Sequence, residues 1–216
     1  MRRAAIFAFF AAIVLVAARK SLHAQEVVDR IVARVENDVI LLSDIRALSR
    51  YQQFLDGKSE TDAQILDRLI DQWVVRTEAG VSRSPKPSEA EIDRNVSRVR
   101  NSFTSLQEYE ARKKQVQLSD QDVRAMVSSQ LYLSNYLDSR FRPAVQVDPK
   151  AIDDFYQSAV VPRAKARGQE PPSLEAARDA IQEALIQNGI NQQADQWLKE
   201  SRLRLHVEKL LEEAPQ

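Results

Sequence analysis

The sequence contains no cysteine. That excludes disulfides, thiolate nucleophiles and cysteine metal sites. It also suits an oxidising compartment, where a stray thiol is a liability. Glycine occurs only four times in 216 residues, and no Gly-Lys-Ser/Thr phosphate loop is present. With two histidines, His23 and His206, neither a Cys-His nor a Ser-His-Asp nucleophile can be assembled. The carboxylates are scattered over helix positions and suggest no metal ligand set. No excess of basic charge exists either: 31 basic residues meet 31 acidic ones. Residues 1–24 hold Arg2, Arg3, Arg19 and Lys20 and no acid, so the remainder has 27 basic against 31 acidic residues, a net charge of −4. Such a chain is a poor partner for nucleic acid, where phosphate neutralisation supplies most of the affinity.

What is present is a composition, 44% hydrophobic and 29% charged, that suits one globular domain or two small ones. Residues 1–24 read as a secretory signal peptide: a basic start, an apolar run from Ala4 to Ala18, and Leu22-His23-Ala24 as a cleavage site. The alternative is an uncleaved anchor, although the run is shorter than the about 20 apolar residues a spanning helix needs. Either way the expected location is outside the cytoplasm, with no membrane span after cleavage.

Val28–Val35 and Val39–Leu42 have strand composition, with Asn37-Asp38 as a tight turn between them. Ser43 is then expected to cap a helix, with Asp44 in its first turn. Thr61, Ser88, Ser105 and Ser119 begin further helices, the first three as reciprocal capping boxes, and Asp148-Pro149 begins another. Behind Thr61, residues Ile65, Leu66, Leu69, Ile70, Trp73 and Val74 share one face, and Gly80 is expected to stop the helix. Behind Ser88 the apolar face is Ile92, Val96, Val99 and Phe103; Asn95-Val96-Ser97 matches a glycosylation tripeptide but falls inside this helix. Behind Ser119 the stripe is Val123, Met126, Val127, Leu131 and Leu137, reaching Phe141. Pro162, Gly168, Pro171 and Pro172 mark residues 157–173 as a linker. Ser173 starts a long helix with an interruption expected at Asn188-Gly189. Leu203 to Glu208 then alternates apolar and polar, the period of a half-buried strand. A lone hairpin is marginal in water, so this last strand is expected to pair with the N-terminal one. The fold class is therefore mainly α with a small β-sheet (α+β): an N-terminal hairpin, a helical core, and a C-terminal helix and strand closing on the hairpin.

The stretch from Val27 to Ile45, a Val-Val-Asp strand, a turn, an apolar strand and a Ser-acid helix start, resembles the opening of the SurA family of periplasmic chaperones. Leu69-Ile70-Asp71, the start at Ser88, and Trp197-Leu198 before an alternating strand are similar to later segments of that family. The resemblance implies a division into a signal (1–24), a chaperone domain (25–156), a linker standing where family members carry parvulin isomerase domains (157–173), a C-terminal helix and strand completing the core (174–210), and a tail (211–216). It implies an ATP-independent periplasmic chaperone without cofactors, metal or catalytic residues. Its partners would be unfolded polypeptides, above all outer-membrane protein precursors.

Tyr132, Tyr136 and Phe141 lie at the edge of the apolar stripe after Ser119 and are the candidate client-binding residues; packing against the C-terminal helix is the alternative for them. Asp153-Asp154, Glu212-Glu213 and Arg112-Lys113-Lys114 read as solvated charge, and His206 as an exposed strand residue. Two other functions stay open: an adaptor for one folded envelope partner, and a cryptic prolyl isomerase.

Overall fold

The computed structural model describes residues 29–211. The signal segment and residues 212–216 of the tail lie outside these. Strand β1 (Ile31–Val35) and strand β2 (Asp38–Leu41) form an antiparallel hairpin, and β3 (Val207–Lys209) pairs with the other edge of β1, giving the order β2-β1-β3. The expected closure of the hairpin by the C-terminal segment is thus observed. The turn sits one residue earlier than expected, at Glu36-Asn37, and the positive φ falls on Glu36 at 53°. The C-terminal segment holds it there: the Glu36 N–H donates to the His206 carbonyl at 3.0 Å, and the Glu36 carboxylate accepts from the His206 N–H at 2.8 Å. β1 also starts later than expected, at Ile31, and the Asp29 side chain ahead of it accepts from the Ser43 N–H. That side-chain bond to Ser43 holds the Asp29 carboxyl below its usual range.

Helix α1 (Leu42–Asp56) begins one residue before the expected cap. Ser43 lies inside it, and the Asp44 carboxylate accepts from the Leu41 N–H at 2.9 Å. Helices α2 (Asp62–Val81), α3 (Glu89–Asn101), α4 (Leu106–Gln115) and α5 (Asp120–Phe141) start at the expected Thr61, Ser88, Ser105 and Ser119. Each cap oxygen accepts from the N–H three residues on, relieving one orphan donor of the first turn. At Ser105 the box is not reciprocal, because Glu108 bonds Thr104 instead. Gly80 does not stop α2. Arg83 takes the left-handed conformation, φ 51°, in its place, with Ser84 N–H returning to the Ala79 carbonyl.

Lys113 is not solvated as expected. It is buried, reaching Asp120 at 2.5 Å and Glu110 at 2.9 Å with its ammonium over the Tyr109 ring.

The segment expected as a linker is largely helical. α6 (Pro149–Phe155) runs through a π-helical turn (Tyr156–Val160) into α7 (Val161–Ala166), leaving only residues 167–173 irregular. Pro162 is tolerated because the wider turn before it relieves the crowding a proline ring causes one turn upstream. Nor is α8 (Leu174–Arg202) interrupted. Its 29 residues span about 43 Å at 1.5 Å per residue. Gly189 within it leaves room for Val145, whose Cγ1 lies 2.6 Å from where a Cβ would stand.

The main core, Val32, Val35, Ile40, Ile45, Ile65, Leu66 and Ile70 among it, joins the sheet to α1 and α2. Leu205, Val207 and Leu211 pack on it, so Leu211 belongs to the body and not to a tail. Leu203, expected on the buried side of the strand, is 88% exposed, because α8 runs to Arg202 and the chain turns before β3 begins. A second core links α1, α4 and α5 through Tyr51, Phe54, Tyr109 and Val127, a third links α2 to α5, and a fourth ties α6 to the first half of α8. No helix among the described residues is long and apolar enough to cross a membrane.

Candidate functional site

The three aromatic candidates cluster on the side of α5 that meets α2 and α8. Tyr136 is buried with Val75, Ala79 and Leu133, and Tyr132 packs half-buried on the same group. The Trp197 ring of α8 stands 6.3 Å from Tyr136 and 5.9 Å from Phe141. Arg140 covers the patch: its guanidinium lies 4.9 Å from the Trp197 ring and donates to the Tyr136 hydroxyl at 2.8 Å. Tyr136 and Phe141 therefore serve the joint between α5 and α8, and a ligand reaches Tyr136 only if that joint opens.

A different face of α5 is open. Residues Val123, Val127, Gln130, Ser134 and Leu137 follow one another at four- and three-residue spacing, which is one stripe of a helix. Val123 and Val127 are buried, but the next two positions carry Gln130 and Ser134, both exposed. Where the stripe should continue apolar it turns polar, and three hollows meet there, all bordered by Gln130. One, toward α3, is lined by Asn95, Arg98, Val99 and Leu131. One, toward α8, is lined by Leu133, Leu137, Gln187, Ile190 and Asn191. The third lies between β2, α1, α2 and α5 and is lined by Val39, Leu48, Leu69, Trp73 and Met126.

Their volumes, about 230, 250 and 200 Å³, are each below the about 300–1,000 Å³ of a small-molecule pocket. Each fits a side chain, and together they fit a chain segment. Two other hollows, which share Lys58 and Ser59, are lined almost wholly by polar groups.

The groove is neutral at its centre. Amides and hydroxyls of Gln72, Ser129, Gln130, Ser134, Gln187 and Asn191 alternate with the apolar side chains. At its margin the acids are engaged within the protein, while Arg98 and Arg76 line the first and third hollows. Asp138 accepts from Arg142 at 2.8 Å, and Arg142 reaches on to Glu183 at 2.7 Å. Hydrogen bonding to Arg142 lowers the Asp138 carboxyl and holds that of Glu183 at about 2. Asp44 is committed to Leu41, and Asp38 accepts from the Trp73 indole N–H at 2.8 Å. No group of three His, Cys, Asp or Glu among the described residues could hold a metal ion.

The arrangement offers amide donors and acceptors beside apolar hollows, which suits non-covalent capture of a chain. Sequence reasoning missed these residues. The available signal was the gap at 130 and 134 in an otherwise continuous stripe. No protein-family model matches the chain, and no curated protein matches it either.

Proposed function

We propose that this protein is an ATP-independent holdase of the SurA type, acting in the periplasm on unfolded or partly folded exported proteins, outer-membrane precursors among them. The observation that carries the reading is the polar interruption of the α5 stripe at Gln130 and Ser134, where three part-apolar hollows converge. Apolar hollows take the side chains of an unfolded client, and neutral amides satisfy its unpaired main chain, whose burial without partners is costly. A groove with an uncharged centre also discriminates little between client sequences. By binding the unfolded form, the protein lowers the free concentration of aggregating chain. The sequence resemblance to the SurA opening supports the same reading, and the lack of a parvulin-like region supports a role without isomerase activity.

The test is a photoreactive residue at position 130 in the envelope of living cells, with a second at Asp153 on the outer side of α6 as control. Capture of many unfolded envelope proteins at 130 and few at 153 is expected. Gln130→Arg should weaken suppression of client aggregation about tenfold, since it places an unpaired charge between apolar hollows. Capture of one folded partner at a fixed stoichiometry would favour the adaptor reading instead. Acceleration of proline-limited refolding in proportion to protein concentration would restore the isomerase.

A further inference from the structure

The third hollow has a wall unlike those of the other two: the outer edge of β2. In an antiparallel sheet successive residues turn their main-chain groups to opposite sides. Val32 and Glu36 bond toward β3, the former accepting from the Leu210 N–H at 2.8 Å and the latter donating to the His206 carbonyl at 3.0 Å. Ala33 and Val35 therefore face β2, where they pair with Ile40 and Asp38. This alternation leaves the N–H and C=O of Val39 pointing away from the sheet. The next outward N–H, that of Leu41, is already taken by Asp44. The edge is thus open at Val39 and closed beyond it. Val39 is 47% exposed and lines the hollow whose other walls carry Leu48, Leu69, Trp73 and Met126.

We infer that this edge and hollow form a strand-docking site, in which an extended client segment pairs its main chain with Val39 and seats one large uncharged side chain against Trp73. The inference rests on the holdase reading and names the conformation of the client. An open main-chain donor and acceptor beside a hollow calls for another main chain, which is how peptides add to sheet edges. The occupant's side chain is not basic, because the nearest acids, Asp38 and Asp44, are committed to Trp73 and Leu41 and Arg76 also lines the hollow; the apolar walls of Leu48, Leu69, Trp73 and Met126 favour an uncharged one. The short open edge fixes the register: one residue of the client meets Val39 and its neighbours face the hollow.

The experiment uses the full chain and a fluorescein-labelled decapeptide of alternating valine and threonine with one central phenylalanine, followed by anisotropy. Two further peptides carry N-methyl groups on alternate residues, of one parity or the other. One parity should bind about tenfold or more weaker, and the other like the parent, because only one set of N–H groups faces β2. Val39→Pro should also weaken the parent peptide about tenfold while leaving the melting temperature nearly unchanged, since the lost N–H makes no bond to β1. Equal binding of both methylated peptides overturns the inference, and so does a folded Val39→Pro that binds like wild type. Aggregation suppression measured alongside separates the two readings. If it persists without any edge dependence, only strand docking falls. If wild type neither binds the peptide nor suppresses aggregation, both fall.

Discussion

A glycine in mid-helix costs about 1 kcal/mol against alanine, yet α8 carries Gly189 at its centre without a break. A side chain is excluded there by Val145, whose methyl groups occupy the space it would take. Gly189→Ala should therefore lower stability in the native chain, by about 1–3 kcal/mol of overpacking less the helical gain. In a Val145→Ala background the same change should stabilise. A double-mutant cycle by thermal melting, with a coupling of about 1 kcal/mol or more, checks this. Left-handed C-terminal positions make the converse case. Gly57 and Gly168 fill two of them, but Arg83 and Gln117 fill two others at φ 51° and 56°. Arg83→Gly should raise stability by roughly 0.5–1 kcal/mol, read by denaturant midpoint, because only glycine takes that conformation without strain. Residue-scale reading of the sequence succeeded where the determinant is local, as at the caps Thr61, Ser88 and Ser119. It missed Gly189, whose meaning depends on a residue 44 positions away in the chain.

At the scale of elements, β3 was readable because its alternation and the unpartnered hairpin required each other. Its exact start was not, because α8 extends to Arg202 and Leu203 caps it. Leu205, Val207 and Leu211 are half-buried on the main core. Removing everything from Leu203 onward should cost about 3 kcal/mol, taking about 1 kcal/mol per half-buried side chain. For a domain of this size that lowers the melting temperature by roughly 6–12 °C. Val207→Asp should do much of the same, whereas Leu203→Ser and Arg204→Ala should be silent. The α6–α7 segment defeated the reading for a different reason: four breakers suggested a linker, and a π-helical turn absorbs the first of them. Where this segment leaves α5, Arg142 bridges Asp138 and Glu183. Arg142 holds the Glu183 carboxyl at about 2, well below the usual range. A carboxyl lowered on folding adds stability above its ordinary titration range, and that stability is lost as pH falls toward 2. Glu183→Gln should therefore melt below wild type near neutral pH, and the difference should shrink through pH 4 and vanish near pH 2. High salt should diminish it at every pH, since the pair is exposed.

For the molecule as a whole, the architecture was readable and the groove was not. The hairpin, the capped helices and the returning strand each leave a periodic trace in the sequence. A groove among α2, α3, α5 and α8 leaves almost none, since Gln130 and Ser134 look like any solvated pair until the neighbouring elements are placed around them. Of the aromatic candidates, Tyr136 is buried at the joint of α2, α5 and α8, with Phe141 beside Trp197. One feature of the sheet bears on how the chain comes into being. Arg34 and Glu208 are 174 residues apart and meet side by side, joined by a 2.8 Å ion pair. A polypeptide that emerges N-terminus first must keep this hairpin waiting for its third strand until β3 has followed. Closing so long a loop is entropically costly before the contacts repay it, so a chain that has not yet reached β3 remains open and threadable. Arrival of β3 is thereby built into the fold as a condition for locking the sheet.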